Sequence, residues 1–191
     1  MECLLPEELT DWIRSAVRLE VDLGCARGKF LVEMAQAHPE RSFLGIEWQP
    51  DRVARTQRKL ERLELARSRV IQGEGLIAVR EGLPEKSVDV LHVLFPDPWP
   101  KRRHHVRRLL RAEFFAAVRR VLKPGGRLRF RTDDRPYFEA VMELVATLPE
   151  WREIPEEAGE IFPLTEFEQR FVDEGLPIYS VVFAPNEMAS S

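Results

Sequence analysis

Residues 19–30 have the sequence LEVDLGCARGKF, and this stretch decides the fold. Its first five residues, 19–23, are mostly apolar and predict a buried β-strand that Gly24 ends. A helix is predicted over 28–37 and stops at His38-Pro39. A strand that passes through a glycine-bearing turn into a helix is the opening unit of an open, parallel α/β sheet.

The same alternation continues along the chain. Further strands are predicted over 41–47, 69–72, 88–95 and 127–132, with two late strands at 151–154 and 179–183. Helices are predicted over 7–18, 50–64, 76–80, 107–122 and 136–148. The pattern predicts a mostly parallel seven-stranded sheet with helices on both faces. The 191 residues are expected to form one domain, 1–191, with an acidic loop at 155–163 inside it.

The composition is that of a globular protein in water, with 44% hydrophobic and 32% charged residues. No apolar run approaches the roughly 20 residues that cross a bilayer, and the acidic start at residues 1–8 is unlike a signal peptide. Cys3 and Cys25 are too few for a disulfide framework or a zinc site. We therefore expect a cytoplasmic protein without a membrane or metal partner, either a monomer or a homodimer.

Residues 95–108, FPDPWPKRRHHVRR, follow the strand predicted at 88–95. The prolines fix φ and remove backbone donors, so the turn is expected to hold one shape. Trp99 offers a stacking face for a base, and the six cations within 101–111 suit a phosphate backbone on a chain of net charge −3. A solvated start of a basic helix is the alternative. With Asp97 between the aromatic residues and the cations, the stretch predicts chemistry on a base of a nucleic acid.

Five residues near the predicted strand ends are candidates for a cofactor site. Gly24 and Gly28 would let a ligand approach the backbone of the first turn, and Glu47 can accept both hydroxyls of a ribose. Glu74, after the third strand, can accept from an adenine amino group. Nicotinamide cofactors and S-adenosylmethionine both need such a ribose-binding acid. Asp22 favours S-adenosylmethionine, because a carboxylate suits a sulfonium and an ammonium group but not a pyrophosphate.

Together these motifs resemble those of the bacterial tRNA (guanine-N7-)-methyltransferases, which belong to the Rossmann-like class I methyltransferases. The similarity covers residues 19–183, and its most specific part is FPDPWPKRRH at 95–104. Thr132-Asp133 and TEFEQRF at 165–171, which is similar to the family's Thr-x-Phe-Glu, follow in the family's order. The resemblance implies transfer of a methyl group from S-adenosylmethionine to N7 of a guanine in the variable loop of tRNA.

The resemblance also implies which residues carry this activity. Asp22, Glu47 and Glu74 occupy cofactor-binding positions, and Asp97 occupies the catalytic position, also near the cofactor. The implied substrate-binding positions are Lys101, Arg103, His104, His105, Arg107, Arg108, Asp133, Thr165, Glu166, Phe167 and Glu168.

Guanine N7 has a free lone pair and no proton to lose, so Asp97 need not act as a general base. Its expected roles are to orient the base or the cofactor and to stabilise the positive charge that develops on the ring. Purely structural roles stay open: a turn cap for Asp97, a helix N-cap for Asp133, and a capping box between Thr165 and Glu168.

Three other functions stay open at this point. An adenine amino-group methyltransferase would use a related turn, a non-catalytic RNA-binding module would keep the fold alone, and a nicotinamide oxidoreductase is disfavoured by the missing third glycine of its turn. Packing, rather than base stacking, is assigned to three tryptophans: Trp12, Trp48 and Trp151.

Overall fold

The computed structural model describes residues 5–156 and 162–186, and for Glu166 and Phe167 it describes the backbone alone. Cys3 and the central part of the predicted acidic loop, 157–161, lie outside the described residues. Seven strands form one sheet: β1 (Leu19–Leu23), β2 (Ser42–Glu47), β3 (Ser68–Gln72), β4 (Val88–Leu94), β5 (Leu122–Thr132), β6 (Trp151–Ile154) and β7 (Tyr179–Pro185).

The strands lie in the order β3-β2-β1-β4-β5-β7-β6. Strands β1 to β5 run parallel, and β7 runs antiparallel to both β5 and β6. Between β1 and β4 the strand order reverses, which leaves a crevice at the carboxyl ends of these two strands where ligands bind in open α/β sheets. The prediction of a mostly parallel, seven-stranded sheet is confirmed.

Seven α-helices cover the described part of the sheet: α1 (Glu7–Ser15), α2 (Lys29–Ala37), α3 (Pro50–Arg62), α4 (Gly75–Ile77), α5 (Ala112–Val121), α6 (Arg135–Ala146) and α7 (Glu166–Asp173). A π-helical turn, Ala78–Gly82, extends α4, and a 3₁₀ helix, Arg102–Arg107, follows β4. The longest helix has 13 residues, and among the described helices none is long and apolar enough to cross a membrane.

The two faces of the sheet carry separate hydrophobic clusters. Since successive side chains of a strand point to opposite faces, Phe43 of β2 lies in one cluster and Leu44 in the other. The cluster of Phe43 packs α2 and α3, and the cluster of Leu44 packs α1, α5 and α6. Each fully buried Phe or Leu side chain contributes about 1.5–3 kcal/mol by leaving water, so both layers hold the strand ends in place.

The region after β4 differs from the prediction. The helix predicted over 107–122 begins only at Ala112, because Arg102–Arg107 form the separate 3₁₀ helix. Arg108 then turns inward, and its Nε donates to the carbonyl oxygen of Pro98 at 2.8 Å. The basic run is therefore a short turn packed on the preceding motif, not the start of a long helix.

Strand β5 also differs, since it begins at Leu122 and not at residue 127. Gly125, with φ +77°, and Gly126 lie inside its first half, where the pairing with β4 shifts register. A Cβ on Gly126 would lie 2.8 Å from the carbonyl oxygen of Lys123. The two glycines thus form an irregular entry into the strand. Helix α7 was not predicted as a helix, although its capping box was noted, and the other elements begin and end within a few residues of their predicted bounds.

Candidate active site

A cavity of about 490 Å³ opens at the carboxyl ends of β1, β2, β3 and β4. This volume is within the range of small-molecule sites, and the position is the one where open α/β sheets bind ligands. The lining includes five of the six residues predicted for the cofactor and catalysis: Asp22, Gly24, Glu47, Glu74 and Asp97. From farther along the chain the cavity is lined by Arg107, Arg108, Arg111 and Thr165.

Two buried carboxylates face each other at the ends of β1 and β2. Asp22 is 5% exposed and Glu47 4% exposed. Burial, and then the negative charge of Glu47, raise the pKa of Asp22 to about 7. Both effects also raise the pKa of the neighbouring Cys25 thiol, so this cysteine stays protonated. The site is therefore ready to accept a positively charged ligand, which would relieve the repulsion between the two acids.

Glu47 also shapes the turn after β1. Its Oε2 accepts from the backbone N–H of Ala26 at 3.0 Å, and its Oε1 accepts from the N–H of Gln49 at 2.9 Å. Ala26 has a φ of +49°, a conformation that costs a non-glycine residue about 1–2 kcal/mol and that this hydrogen bond helps to hold. Each carboxylate oxygen keeps a further lone pair for a ligand hydroxyl.

The two predicted glycines have different surroundings. Gly24 has a φ of +83° and open space where a Cβ would stand, so its backbone is accessible from the cavity. Gly28 has a φ of +69°, and a Cβ there would lie 2.4 Å from Thr56 of α3. Gly28 does not line the cavity. The structure thus corrects the prediction that Gly28 lets a ligand approach. The absence of a side chain at Gly28 instead allows α3 to pack closely against the turn.

Glu74 lines the cavity and caps a helix at the same time. Its carboxylate accepts from the backbone N–H groups of Ile77 at 2.9 Å and Leu76 at 3.3 Å. The cap fixes the direction of the side chain, which leaves further lone pairs toward the cavity.

The turn after β4 is strained and carries an unpaired acid. Phe95 and Trp99 have φ values of +52° and +45°, which non-glycine residues adopt only when their surroundings hold them. The N–H of Phe95 donates to the carbonyl oxygen of Arg131 at 2.8 Å. Asp97 is exposed and makes no hydrogen bond or ion pair with any described residue. The structure does not support a turn-capping role for Asp97, whose carboxylate stands free at the cavity rim.

The basic turn surrounds Trp99. The Arg107 guanidinium lies over the Trp99 ring at 4.9 Å, and the His104 ring meets its edge at 5.9 Å. Lys101 and Arg103 are exposed and His105 is half-buried. Arg108 differs, since it is 7% exposed and its guanidinium lies over the Tyr137 ring at 4.6 Å. The run predicted as one phosphate-binding surface is therefore divided, with Arg108 packed into the protein.

Beyond β5 the predicted substrate residues also separate. Asp133 is exposed and makes no hydrogen bond with the described residues, and it is Asp134 that caps α6 by accepting from the N–H of Tyr137 at 2.7 Å. The helix-cap alternative for Asp133 is wrong. Thr165 lines the cavity, whereas Glu168 is 1% exposed. These two form the capping box of α7, and the side chains of Glu166 and Phe167 lie outside the described part of the chain.

Three candidate functional residues were not predicted from the sequence: Trp48, Lys29 and Arg131. Trp48 was assigned to packing, but it is 68% exposed and lines the cavity. Its place directly after Glu47, at a strand end, could have indicated this. Trp12 and Trp151 pack against the core as predicted. Lys29 and Arg131, which bind the segment around Thr165, had no local signal because their partners are more than 35 residues away.

Within residues 5–156 and 162–186, no group of three or more His, Cys, Asp or Glu side chains is placed to hold a metal ion.

The sheet order, the antiparallel β7 and the acidic cavity at the ends of β1 and β2 together define a Rossmann-like methyltransferase.

Comparison with known proteins identifies the family. Residues 17–181 match a family model described as "Putative methyltransferase". The tRNA (guanine-N(7)-)-methyltransferase of Nitrosospira multiformis is 36% identical over 179 residues, which cover 92% of this chain and 78% of the relative. The one of Limosilactobacillus fermentum is 35% identical over 171 residues, covering 85% of this chain and 78% of the relative. The chain belongs to the tRNA (guanine-N(7)-)-methyltransferase family, as the motifs predicted.

Solved structures agree on the fold. The aminoglycoside resistance methyltransferase NpmB1 superimposes with a TM-score of 0.61 at 18% identity, over 95% of this chain and 94% of that one. An rRNA methylase from Streptococcus thermophilus gives a TM-score of 0.57 at 15% identity, over 94% of this chain and 95% of that one. At such identities the likeness concerns the fold alone.

Proposed function

We propose that this chain transfers the methyl group of S-adenosylmethionine to N7 of a guanine in tRNA, in the variable loop. The observation that carries the proposal is the unpaired carboxylate of Asp97 at the rim of a cavity lined by two buried acids. The family membership and the cationic turn beside Asp97 support the same conclusion.

The donor set of the cavity fits the cofactor. When bound, S-adenosylmethionine supplies an activated methyl group on a sulfonium. Asp22 and Glu47 provide the negative charge that a sulfonium, an ammonium and ribose hydroxyls require, and Gly24 leaves the backbone open to them. Glu74 accepts from an amino group on the adenine, and the exposed Trp48 ring offers it a stacking face.

Asp97 orients the guanine and stabilises the charge that develops on it. N7 attacks with its own lone pair, so no proton has to leave and no general base is required. The ring becomes cationic as the N7–CH₃ bond forms, and a carboxylate at the rim favours that state over the neutral base. The strained turn between Phe95 and Trp99 keeps the carboxylate in place before the substrate arrives, which saves reorganisation during the reaction.

The RNA is held on the side of β4 and β5. Lys101, Arg103, His104, His105 and Arg107 contact its phosphates, while Asp133 and Thr165 contact the target nucleotide. The Thr165 hydroxyl accepts from the N–H of Glu168 at 3.0 Å, so its own proton is available to an acceptor such as O6 of guanine. Arg108 acts through the turn, whose Pro98 carbonyl it binds.

We further infer that residues 1–191 act as one domain in the cytoplasm. The support is a single sheet that runs through the described residues and a cysteine content too low for a disulfide framework.

Nucleoside analysis tests the proposal directly. Unmodified tRNA incubated with the protein and S-adenosylmethionine is digested and its nucleosides are separated by mass and retention time. We expect 7-methylguanosine, with S-adenosylhomocysteine formed in equal amount. N6-methyladenosine would instead indicate an adenine amino-group enzyme. Calorimetric binding of tRNA without binding of S-adenosylmethionine would indicate a non-catalytic RNA-binding module.

A further inference from the structure

The segment that brings Thr165 to the cavity is fastened by side chains from two distant parts of the chain. On the cofactor side, Lys29 at the start of α2 donates from Nζ to the carbonyl oxygen of Leu164 at 2.9 Å. On the substrate side, Nη1 of Arg131 in β5 donates to Oε1 of Glu168 at 2.6 Å. Thr165 lies between these two anchor points and, among the residues of α7 and its cap whose side chains are described, is the one that lines the cavity.

Both carboxylate oxygens of Glu168 accept hydrogen bonds inside the protein. Oε1 accepts from Arg131, and Oε2 accepts from the N–H of Thr165 at 2.8 Å. The side chain is 1% exposed. Unlike Glu47, which is also buried and bonded through both oxygens, Glu168 does not line the cavity, so it can act on the substrate only through Thr165, which does.

Arg131 joins this segment to the turn that carries Asp97. Its backbone carbonyl accepts from the N–H of Phe95 at 2.8 Å, and its Nε donates to Oγ of Ser180 in β7 at 3.2 Å. The Phe171 ring of α7 packs on the Phe95 ring with 5.5 Å between centroids. One arginine therefore contacts the first residue of the strained turn, the capping box of α7 and the neighbouring strand.

We propose that Arg131 and Glu168 form a positioning latch, an ion pair that holds the Thr165 hydroxyl at a fixed position relative to the Asp97 carboxylate. The latch rests on the proposed function, since its purpose is to align two groups that contact the guanine. Glu168, which the family resemblance assigned to substrate contact, is a positioning residue. Because a misplacement of about 1 Å can cost 10²-fold in rate, the effect of the latch appears in kcat more than in cofactor affinity.

Two single variants and their combination test the latch. Glu168→Gln, Arg131→Met and the double variant are assayed for kcat on tRNA, for S-adenosylmethionine affinity by calorimetry and for amide hydrogen exchange in the first turn of α7. Each single variant is expected to lower kcat by about 10–100-fold. Exchange of the cap amides in the free protein should rise about fivefold or more in both single variants, since each removes the ion pair that anchors the start of α7 to β5. The double variant should lose less than the product of the two single losses, because both single variants remove the Arg131–Glu168 ion pair, while Arg131 also contacts Ser180 and Glu156.

The matched control is the exposed pair Arg135 and Glu139 on α6, whose Nε and Oε1 are 2.7 Å apart. Arg135→Met with Glu139→Gln should leave kcat and the exchange of α7 unchanged. S-adenosylmethionine affinity should stay within about twofold in every variant, since neither latch residue lines the cavity. Arg131→Met keeps the capping box, so this variant alone can test the latch if Glu168→Gln does not fold.

Two results would overturn the latch. If Glu168→Gln loses activity while Arg131→Met keeps it, Glu168 contacts the substrate itself. If exchange in α7 is unchanged in both variants, the pair does not hold the segment. An unaltered protein that methylates no tRNA would refute the proposed function instead, and the exchange data from the free protein would still decide whether the latch exists.

Discussion

The two sides of the cavity are built in different ways. On the side of β1 and β2, Asp22 and Glu47 are buried, and Glu47 is bonded to two backbone N–H groups. On the side of β4 and β5, Asp97 and Asp133 are exposed and bind no described residue. The first side offers buried acids to a small cation, whereas the second presents exposed acids and exposed cations, which suit the bases and the phosphates of a large polyanion respectively. Substitutions should therefore separate cofactor binding, RNA binding and catalysis.

The largest effect is expected at Asp97. Asp97→Asn keeps the shape of the turn but removes the charge, so kcat should fall by about 10²–10³, the scale of one lost electrostatic contact. Affinities for S-adenosylmethionine and tRNA should persist, because the backbone of the turn is held by Arg131 and its prolines. Single-turnover rates and two calorimetric titrations measure this. A fully active Asp97→Asn would show that the carboxylate has no part in the reaction.

Glu47 should give the next largest effect, on the other side of the cavity. Glu47→Ala would leave the N–H groups of Ala26 and Gln49 both without a partner, whereas Glu47→Gln keeps an acceptor for one of them and is therefore the sharper variant. Loss of a charged acceptor for the ribose is worth about 1.5–3 kcal/mol, hence roughly tenfold or more in S-adenosylmethionine affinity. Calorimetry should find tRNA affinity near its original value. Equal loss of both ligands would mean that the two sides are not independent.

The basic turn should change RNA binding alone. Neutralising Arg102, Arg103 and Arg107 to Gln should flatten the salt dependence of tRNA affinity by about one unit of slope per lost phosphate contact. Arg108 is left intact because it is buried.

The matched control for the basic turn removes the same charge elsewhere. Arg55, Arg58 and Arg62 lie exposed on α3, without a hydrogen bond or ion pair to the described residues. Replacing these three with Gln should leave the salt slope near its original value. Equal flattening by both triple variants would indicate general charge attraction and no specific docking by the basic turn.

The smallest expected effect is a pH dependence of cofactor affinity. Asp22 has a pKa of about 7, against an ordinary value of 3.8, so between these values the folded protein holds a proton that the unfolded chain has lost. The free energy of unfolding should therefore fall as pH rises through this window. A cationic ligand favours the ionised acid, so affinity should rise with pH and level off above about 7, changing by at most about tenfold per pH unit.

Calorimetry in buffers of different ionisation enthalpy checks this pH effect, because binding near pH 6 should release close to one proton. Asp22→Asn should abolish the release. The kcat at saturating cofactor should show no rising limb near neutral pH, since N7 has no proton to give up. Proton release that persists in Asp22→Asn would assign it to another group.

Much of this site was predictable, because its residues directly follow strands. Asp22, Glu47, Glu74 and Asp97 all lie at the carboxyl ends of parallel strands, and such ends meet at one edge of a sheet. Apolar patterning also placed all seven strands, and Trp151–Ile154 was located to the residue. These features depend on local sequence, which is why local reasoning found them.

The errors concern residues whose role depends on distant partners. Gly28 is required by the close approach of Thr56, and Arg108 is held by Pro98 and Tyr137. Nothing near these residues in the sequence indicates those contacts. The helix predicted from residue 107 similarly begins only at Ala112, because the composition of 107–111 permits a helix while packing of Arg107 on Trp99 favours the 3₁₀ helix Arg102–Arg107.

The position of β7 has a consequence for biosynthesis. β7 follows β6 and α7 in the chain but lies between β5 and β6 in the sheet. Until the ribosome has made residues 179–185, β6 has no strand to pair with, and the edge of β5 exposes a row of unpaired backbone groups. A nascent chain can therefore assemble β1 to β4 and its cofactor side first, while the edge of β5 stays open to pairing with another chain until β7 is made.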